Sequence, residues 1–360
     1  MKKELIVAKK EFNDHLTSKR FLVILGALIL LSIVGIISGI TEYNSQLDDY
    51  RANMQGASQI MMGPQQTQMP TVLLVFQSIN DYFLIIGLAL AVSMGFDVIS
   101  REKEDGSLKS LLTHPVYRDS IINGKTIGSV SMLTVVLAAM FLMTIAFMLF
   151  CGLVPTGDDM VRIGMYFVMT LLYCVTFFSI SLVMSTWAKN SAMSVAYTLG
   201  VLLFVVLLPM LSFNIVGLAM GEEPDMLVVS TDAQSANSQD IRINSGNPGN
   251  STRQMMTISP EYTSYWETRN QITGIINMIS PVNNFQCISE VLLEKLKSPI
   301  STIAGSNVRV NFQTYGRLPS SEIYATDSLS SVIVNIISLI VISIVALAAS
   351  YVKFMRADVR

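Results

Sequence analysis

The chain has 360 residues, 51% of them apolar and only 14% charged, with a formal net charge of −2. Soluble globular proteins carry about 25% charged residues, so this composition excludes an ordinary soluble enzyme and points to a membrane protein. The net charge gives no sign of a nucleic-acid partner; what carries information is where the basic residues sit.

The chain opens on MKKELIVAKKEFNDHLTSKR, residues 1–20, which are polar and charged. The long apolar run behind them has no small-residue cleavage site, so no cleavable signal peptide is expected. Leu5, Ala8, Phe12, His15 and Leu16 share one helical face flanked by lysines, the pattern of a helix lying in a membrane interface.

A bilayer core of about 30 Å needs roughly 20 apolar residues as helix. Such runs occur at 21–41, 72–96, 126–157, 163–188, 190–221 and 328–352, which predicts six spans in an all-α polytopic membrane protein. Asp81 interrupts the second run, but it lies about 24 Å along the helix from Asp97. The two carboxylates can therefore sit near opposite interfaces. Lys and Arg concentrate in residues 1–20, in the island after the second run and in the tail after 353, whereas the first and third inter-span loops hold only Arg51 and Arg162. The positive-inside rule then puts both termini and the island in the cytoplasm, with 42–71, the turn near 158 and the long segment 218–327 outside.

Asp158 and Asp159 read as a turn and the N-terminus of span four, and Trp187–Ser191 as a short turn before span five. Residues 230–252 are rich in Ser, Asn, Gly and Thr and read as loop or irregular β structure. Asn250-Ser251-Thr252 fits a glycosylation acceptor, a triplet common by chance. Residues 268–297 read as two short helices broken at Ser280-Pro281, the first apolar enough to dip into the outer leaflet. The predicted organisation is an interfacial helix at 1–20, spans one to five over 21–217, an extracytoplasmic segment 218–327, span six at 328–353 and a tail at 354–360.

The island, REKEDGSLKSLLTHPVYRDSIINGKT, ends in Gly124-Lys125-Thr126 like the tail of a P-loop. That motif needs a glycine where Asp119 stands, so that backbone amides can curl around phosphate; a carboxylate there repels it. Gly124-Lys125 reads instead as the point of return into the bilayer, with Lys125 snorkelling to the interface. Leu108, Leu111 and Leu112 fall on one helical face, and Pro115 ends or bends that helix. Such a ridge seats in a partner's groove or is a solvated loop; the local chemistry leaves both open.

The order of residues across this stretch resembles the cytoplasmic signature of type-2 ABC exporter permeases: Asp97, Glu102, Glu104, Gly106, Ser107, Leu108, Leu111, Leu112, Pro115, Arg118, Ile121, Gly124 and Lys125. Ser107 and Tyr117 depart mildly from the family pattern. The resemblance implies a coupling helix within 98–122 that docks on a separate ABC ATPase subunit carrying ATP and Mg, with no cofactor on this chain. It also implies pairing of two permease copies and an N-terminal elbow helix. Glu102, Glu104 and Arg118 would form rim ion pairs, Leu108, Leu111 and Leu112 would fill the groove, and Gly106 would allow a tight backbone. Hydroxyls in spans four and five, Thr176, Ser179, Ser194 and Tyr197 among them, are candidates for a mildly polar translocation surface; the competing reading is packing between helices.

Other functions find little support. No GxSxG, HExxH or pair of carboxylates at catalytic spacing occurs, so the chain is not expected to be an enzyme. His15 and His114 lack metal-ligand spacing. Met54, Met61, Met62 and Met69 could attract a soft ion, but the chain is rich in Met throughout. Cys151 and Cys287 share a side in this topology, which leaves one bridge open; small buried residues are the alternative. No Lys, Arg, Glu or His falls at a midplane, which argues against an ion-coupled carrier. A membrane receptor or scaffold with a ligand-binding outer domain remains the alternative to a transporter.

Overall fold

The structure is a computed structural model and describes residues 3–56, 70–106, 118–224, 227–230, 241–242, 255–258, 260–293 and 325–356. Helix α1 is Lys3–Thr17, α2 Lys19–Gly56, α3 Leu74–Gly95 and α4 Ser100–Glu104. They are followed by α5 Arg118–Phe150, α6 Gly157–Trp187 and α7 Ser191–Met220. After three short strands come α8 Pro260–Asn277, α9 Pro281–Leu292 and α10 Ala325–Met355. Among the described residues, six helical stretches are long and apolar enough to cross a membrane: Lys19–Ala52, Leu74–Glu104, Arg118–Phe150, Gly157–Trp187, Ser191–Met220 and Val332–Met355. All six match the predicted spans.

The helices outrun the apolar sequence. α2 continues to Gly56, so much of the first loop, expected to start at 42, is helical. Side-chain pairs one turn apart support the extension: Gln46 donates to Glu42 at 2.8 Å and Arg51 to Asp48 at 3.3 Å. α5 starts at Arg118, before the apolar run at Thr126. α6 starts at Gly157, where Thr156 and Asp159 form a reciprocal capping box, as the two aspartates suggested.

The chain divides into two compact units. The first comprises Met1–Val206, Pro281–Lys295 and Tyr324–Arg360. Its core is aromatic. Phe285 of α9 stacks on Tyr173 with centroids 4.4 Å apart and on Tyr166 at 6.1 Å, and Phe141 lies 5.4 Å from Phe76. Several polar groups inside this core are paired, as a low-dielectric interior favours. Tyr166 donates its hydroxyl to Asn80 at 2.9 Å, Asn80 donates to Ser289 at 3.2 Å, and Asn284 donates to Ser338 at 3.1 Å. Thus α9 is anchored among the spans by its buried face of Asn284, Phe285, Ile288, Ser289 and Leu292. α2 meets α3 closely at Gly39, where a Cβ would come within 2.6 Å of the Val75 backbone.

The second unit comprises Leu207–Ser280 and Leu296–Ile323. It holds a three-stranded antiparallel sheet in the order β1-β3-β2, built from Leu227–Ser230, Ile241–Arg242 and Met255–Ile258. Leu227 pairs with Ile258 and Ile241 with Met256. These strands are the one departure from an all-helical chain among the described residues. α8 lies against the end of α7: the Arg269 guanidinium sits 4.0 Å from the Phe213 ring and 4.8 Å from that of Trp266, and it donates to the Phe213 carbonyl at 3.2 Å. The helix break at Ser280-Pro281 is where the sequence placed it. Ile275 and Ile279, on the stretch expected to dip into lipid, are exposed.

Candidate functional site: the flanks of residues 107–117

Of the residues assigned to the coupling element, Ser107, Leu108, Leu111, Leu112 and Pro115 lie outside the described residues, as do His114, Met61, Met62, Met69 and Asn250-Ser251-Thr252. Both flanks of 107–117 are described, and both are tied to the ends of other helices in the first unit. Ile99 and Ser100 donate their backbone N–H groups to Ser185 Oγ at 3.0 Å each. Lys103 Nζ donates to the Thr186 and Ala188 carbonyls. Glu104 accepts the Ser191 backbone N–H at 3.0 Å. Consecutive side chains therefore cap the C-terminus of α6 with a cation and the N-terminus of α7 with a carboxylate, the signs that the two helix dipoles favour. Gly106 follows with φ +68°, a left-handed conformation natural to glycine that ends the short α4. On the other flank, Arg118 donates to the Met355 carbonyl at the end of α10, at 3.3 Å.

The two flanks also meet through a buried lysine. Lys125 is only 5% exposed; its ammonium lies 2.8 Å from Glu11 of α1 and 3.0 Å from Glu102 of α4. It does not snorkel to an interface, because two carboxylates reach it inside the protein. Glu102 is correspondingly engaged within the chain. His15 shares a hydrogen bond with Ser129 Oγ at 3.0 Å, and its ring lies 3.6 Å from Glu11. Burial pushes the His15 imidazole below its ordinary pKa, an effect that nearby Glu11 and Asp97 offset in part. Arg20 and Asp97 pair at 3.4 Å. Glu11, His15, Arg20, Asp97, Glu102 and Lys125 line an open cleft of about 1090 Å³.

α1 reaches this cluster because α5 offers it a notch. A Cβ on Gly124 would lie 2.7 Å from Val7 and 2.8 Å from the Glu4 carbonyl; one on Gly128 would lie 2.7 Å from the Ala8 carbonyl. The spacing is the small-xxx-small pattern that lets helices approach closely in membranes. The Gly-Lys-Thr triplet is accordingly part of a helix. The buried face of α1 is Ala8, Glu11 and His15, whereas Leu5, Ile6 and Leu16 are exposed. The predicted apolar stripe is thus divided: Ala8 and His15 are buried, Phe12 is half-buried against the core, and Leu5 and Leu16 are exposed.

The hydroxyl set has a different setting. Thr176 and Ser343 share a hydrogen bond of 2.7 Å between α6 and α10. Ser179 bonds to the Val175 carbonyl and Ser194 to the Phe96 carbonyl. All three are fully buried, while Tyr197 is 44% exposed. None of the three cysteines is in a disulfide; Cys151 is exposed and Cys174 buried. Periodicity did not single out Glu11, Lys103, Gly128 or Asn80; the one local signal available was the Gly124–Gly128 spacing.

Six helices among the described residues, each long and apolar enough to cross a membrane, define a multi-pass membrane protein. The chain belongs to the ABC-2 family transporter proteins, whose family model matches residues 5–359. It is therefore a membrane subunit of an ABC transporter, and membership implies association with an ABC ATPase subunit. No curated protein is similar enough to the chain to count as a match.

Proposed function

We propose that the chain is the permease of an ATP-driven exporter in the cell membrane, with both termini and residues 107–117 in the cytoplasm. Two permease copies pair, and ATP and Mg are bound by the ATPase subunits rather than here. The α1 helix serves as the interfacial elbow, and the leucine ridge of Leu108, Leu111 and Leu112 seats in the ATPase. The observation that carries the reading is how the flanks of 107–117 are held. Lys103, Glu104 and Arg118 bond to the ends of α6, α7 and α10, so a displacement of the segment is felt at three spans at once. Arg118 and Glu104 then act as links to the chain's own helices before any rim contact with the ATPase. Tyr197 is the candidate of the hydroxyl set that faces outward; Thr176 and Ser179 would be uncovered only if α6 and α10 part.

The test is Leu111→Asp. A carboxylate on an apolar ridge loses the groove contact, while an exposed ion pair is worth only about 0–1 kcal/mol. The variant is expected to insert normally but to lose co-purification with the ATPase. Normal capture of the ATPase by this variant would overturn the assignment.

A further inference from the structure

We propose that Lys125 is a positioning residue that makes α1 move as one body with the 100–106 flank, so that the N-terminal helix is itself part of the lever. The inference rests on the coupling reading above and adds to it a moving part.

Three observations carry it. Lys125 is buried and shared: one carboxylate comes from α1 and the other from α4, at 2.8 and 3.0 Å. The side chains of Lys125, Glu11 and Glu102 are 7%, 10% and 16% exposed. If either α1 or α4 moved alone, one buried carboxylate would leave its cation behind, and breaking a buried ion pair is strongly unfavourable. The notch at Gly124 and Gly128 holds the α1 backbone against the base of α5 with no room for a methyl group, which resists sliding. Finally, the opposite side of α1 exposes Leu5, Ile6 and Leu16 together with Lys9 and Asn13, a face left open among the described residues. Motion of the flank is therefore cheapest when α1 travels with it.

The experiment is a set of spin-label distances on the full chain assembled with its ATPase, with and without ATP and Mg. Labels are placed at Lys9 on the open side of α1, at Asp105 after α4, and at exposed Gln286 of α9, which shares no helix with the clasp, with the three native cysteines replaced. The expected result is a constant Lys9–Asp105 distance while both labels change their distance to Gln286. If Asp105 moves relative to Gln286 and Lys9 does not follow, the inference is overturned and the coupling reading stands. If neither moves relative to Gln286, the coupling reading fails and takes this inference with it. A second arm needs no ATPase. Lys125→Met, which leaves two facing carboxylates, is expected to lower the melting temperature by roughly 5–10 °C. Adding Glu11→Gln and Glu102→Gln is expected to restore most of that loss; assembled with the ATPase, this triple variant is expected to show a nucleotide-dependent Lys9–Asp105 distance. Unchanged stability of Lys125→Met would overturn the buried clasp.

Discussion

His15 illustrates how one side chain reports on its surroundings. It sits on α1, hydrogen-bonded to Ser129 and 3.6 Å from Glu11, with Asp14, Asp97 and Lys125 also near. Burial lowers its pKa in the folded chain. The unfolded chain, with a pKa of about 6.5, therefore binds the proton more readily. The stabilisation from a neutral His15 is fully present above about pH 6.5 and is lost as the pH falls toward the lower folded value. Thermal unfolding followed from pH 8 to pH 5 is expected to show a steeper loss of stability on the acid side for the native chain than for His15→Gln. The glutamine amide keeps a hydrogen bond to Ser129 without titrating. Parallel curves for the two proteins would rule out this role.

At the scale of elements, close approach of helices decides what is tolerated. Gly128 and Gly164 are both helical glycines inside spans, yet their surroundings differ. A Cβ at Gly128 meets the Ala8 backbone at 2.7 Å, whereas at Gly164 nothing lies within 4 Å. Gly128→Val is expected to push α1 off α5, with a loss of about 1–3 kcal/mol from overpacking and faster protease cleavage within the first 20 residues. Gly164→Ala is expected to be neutral or to stabilise by up to about 1 kcal/mol, since alanine is the better helix former. Equal effects of the two changes in a melting and proteolysis comparison would show that the notch does not hold α1. The same scale explains why the coupling flanks were only partly legible. The pattern of carboxylates, glycine and leucines could be read along the chain. That Lys103 and Glu104 address opposite ends of two successive helices could not, because those partners lie more than 80 positions away.

For the whole molecule, orientation is the property that sequence charge argues most directly. The basic residues cluster on the side that carries 100–125, and the helical reach of α5 separates that side from Cys151. A membrane-impermeant maleimide is expected to label exposed Cys151 in intact cells. A cysteine placed at Asp105 is expected to react only after permeabilisation. The reverse pattern would invert the topology and remove the segment from any cytoplasmic ATPase.

The number of spans, their approximate limits, the turn between α6 and α7 and the break at Ser280-Pro281 were determined by sequence alone. The reason is that a bilayer requires continuous apolar runs, and Pro281, lacking an N–H, cannot continue the helix before it and opens the next one. The tertiary structure alone decided the burial of Lys125 between Glu11 and Glu102, the seating of α9 by Asn80 and Asn284, and the face that α1 presents to protein. In a soluble protein an apolar stripe marks the buried face. In this one lipid can cover apolar surface, so the groups taken inside include those that must find a partner away from hydrocarbon. Which partner each finds depends on contacts between residues distant in the chain, and no local pattern encodes them.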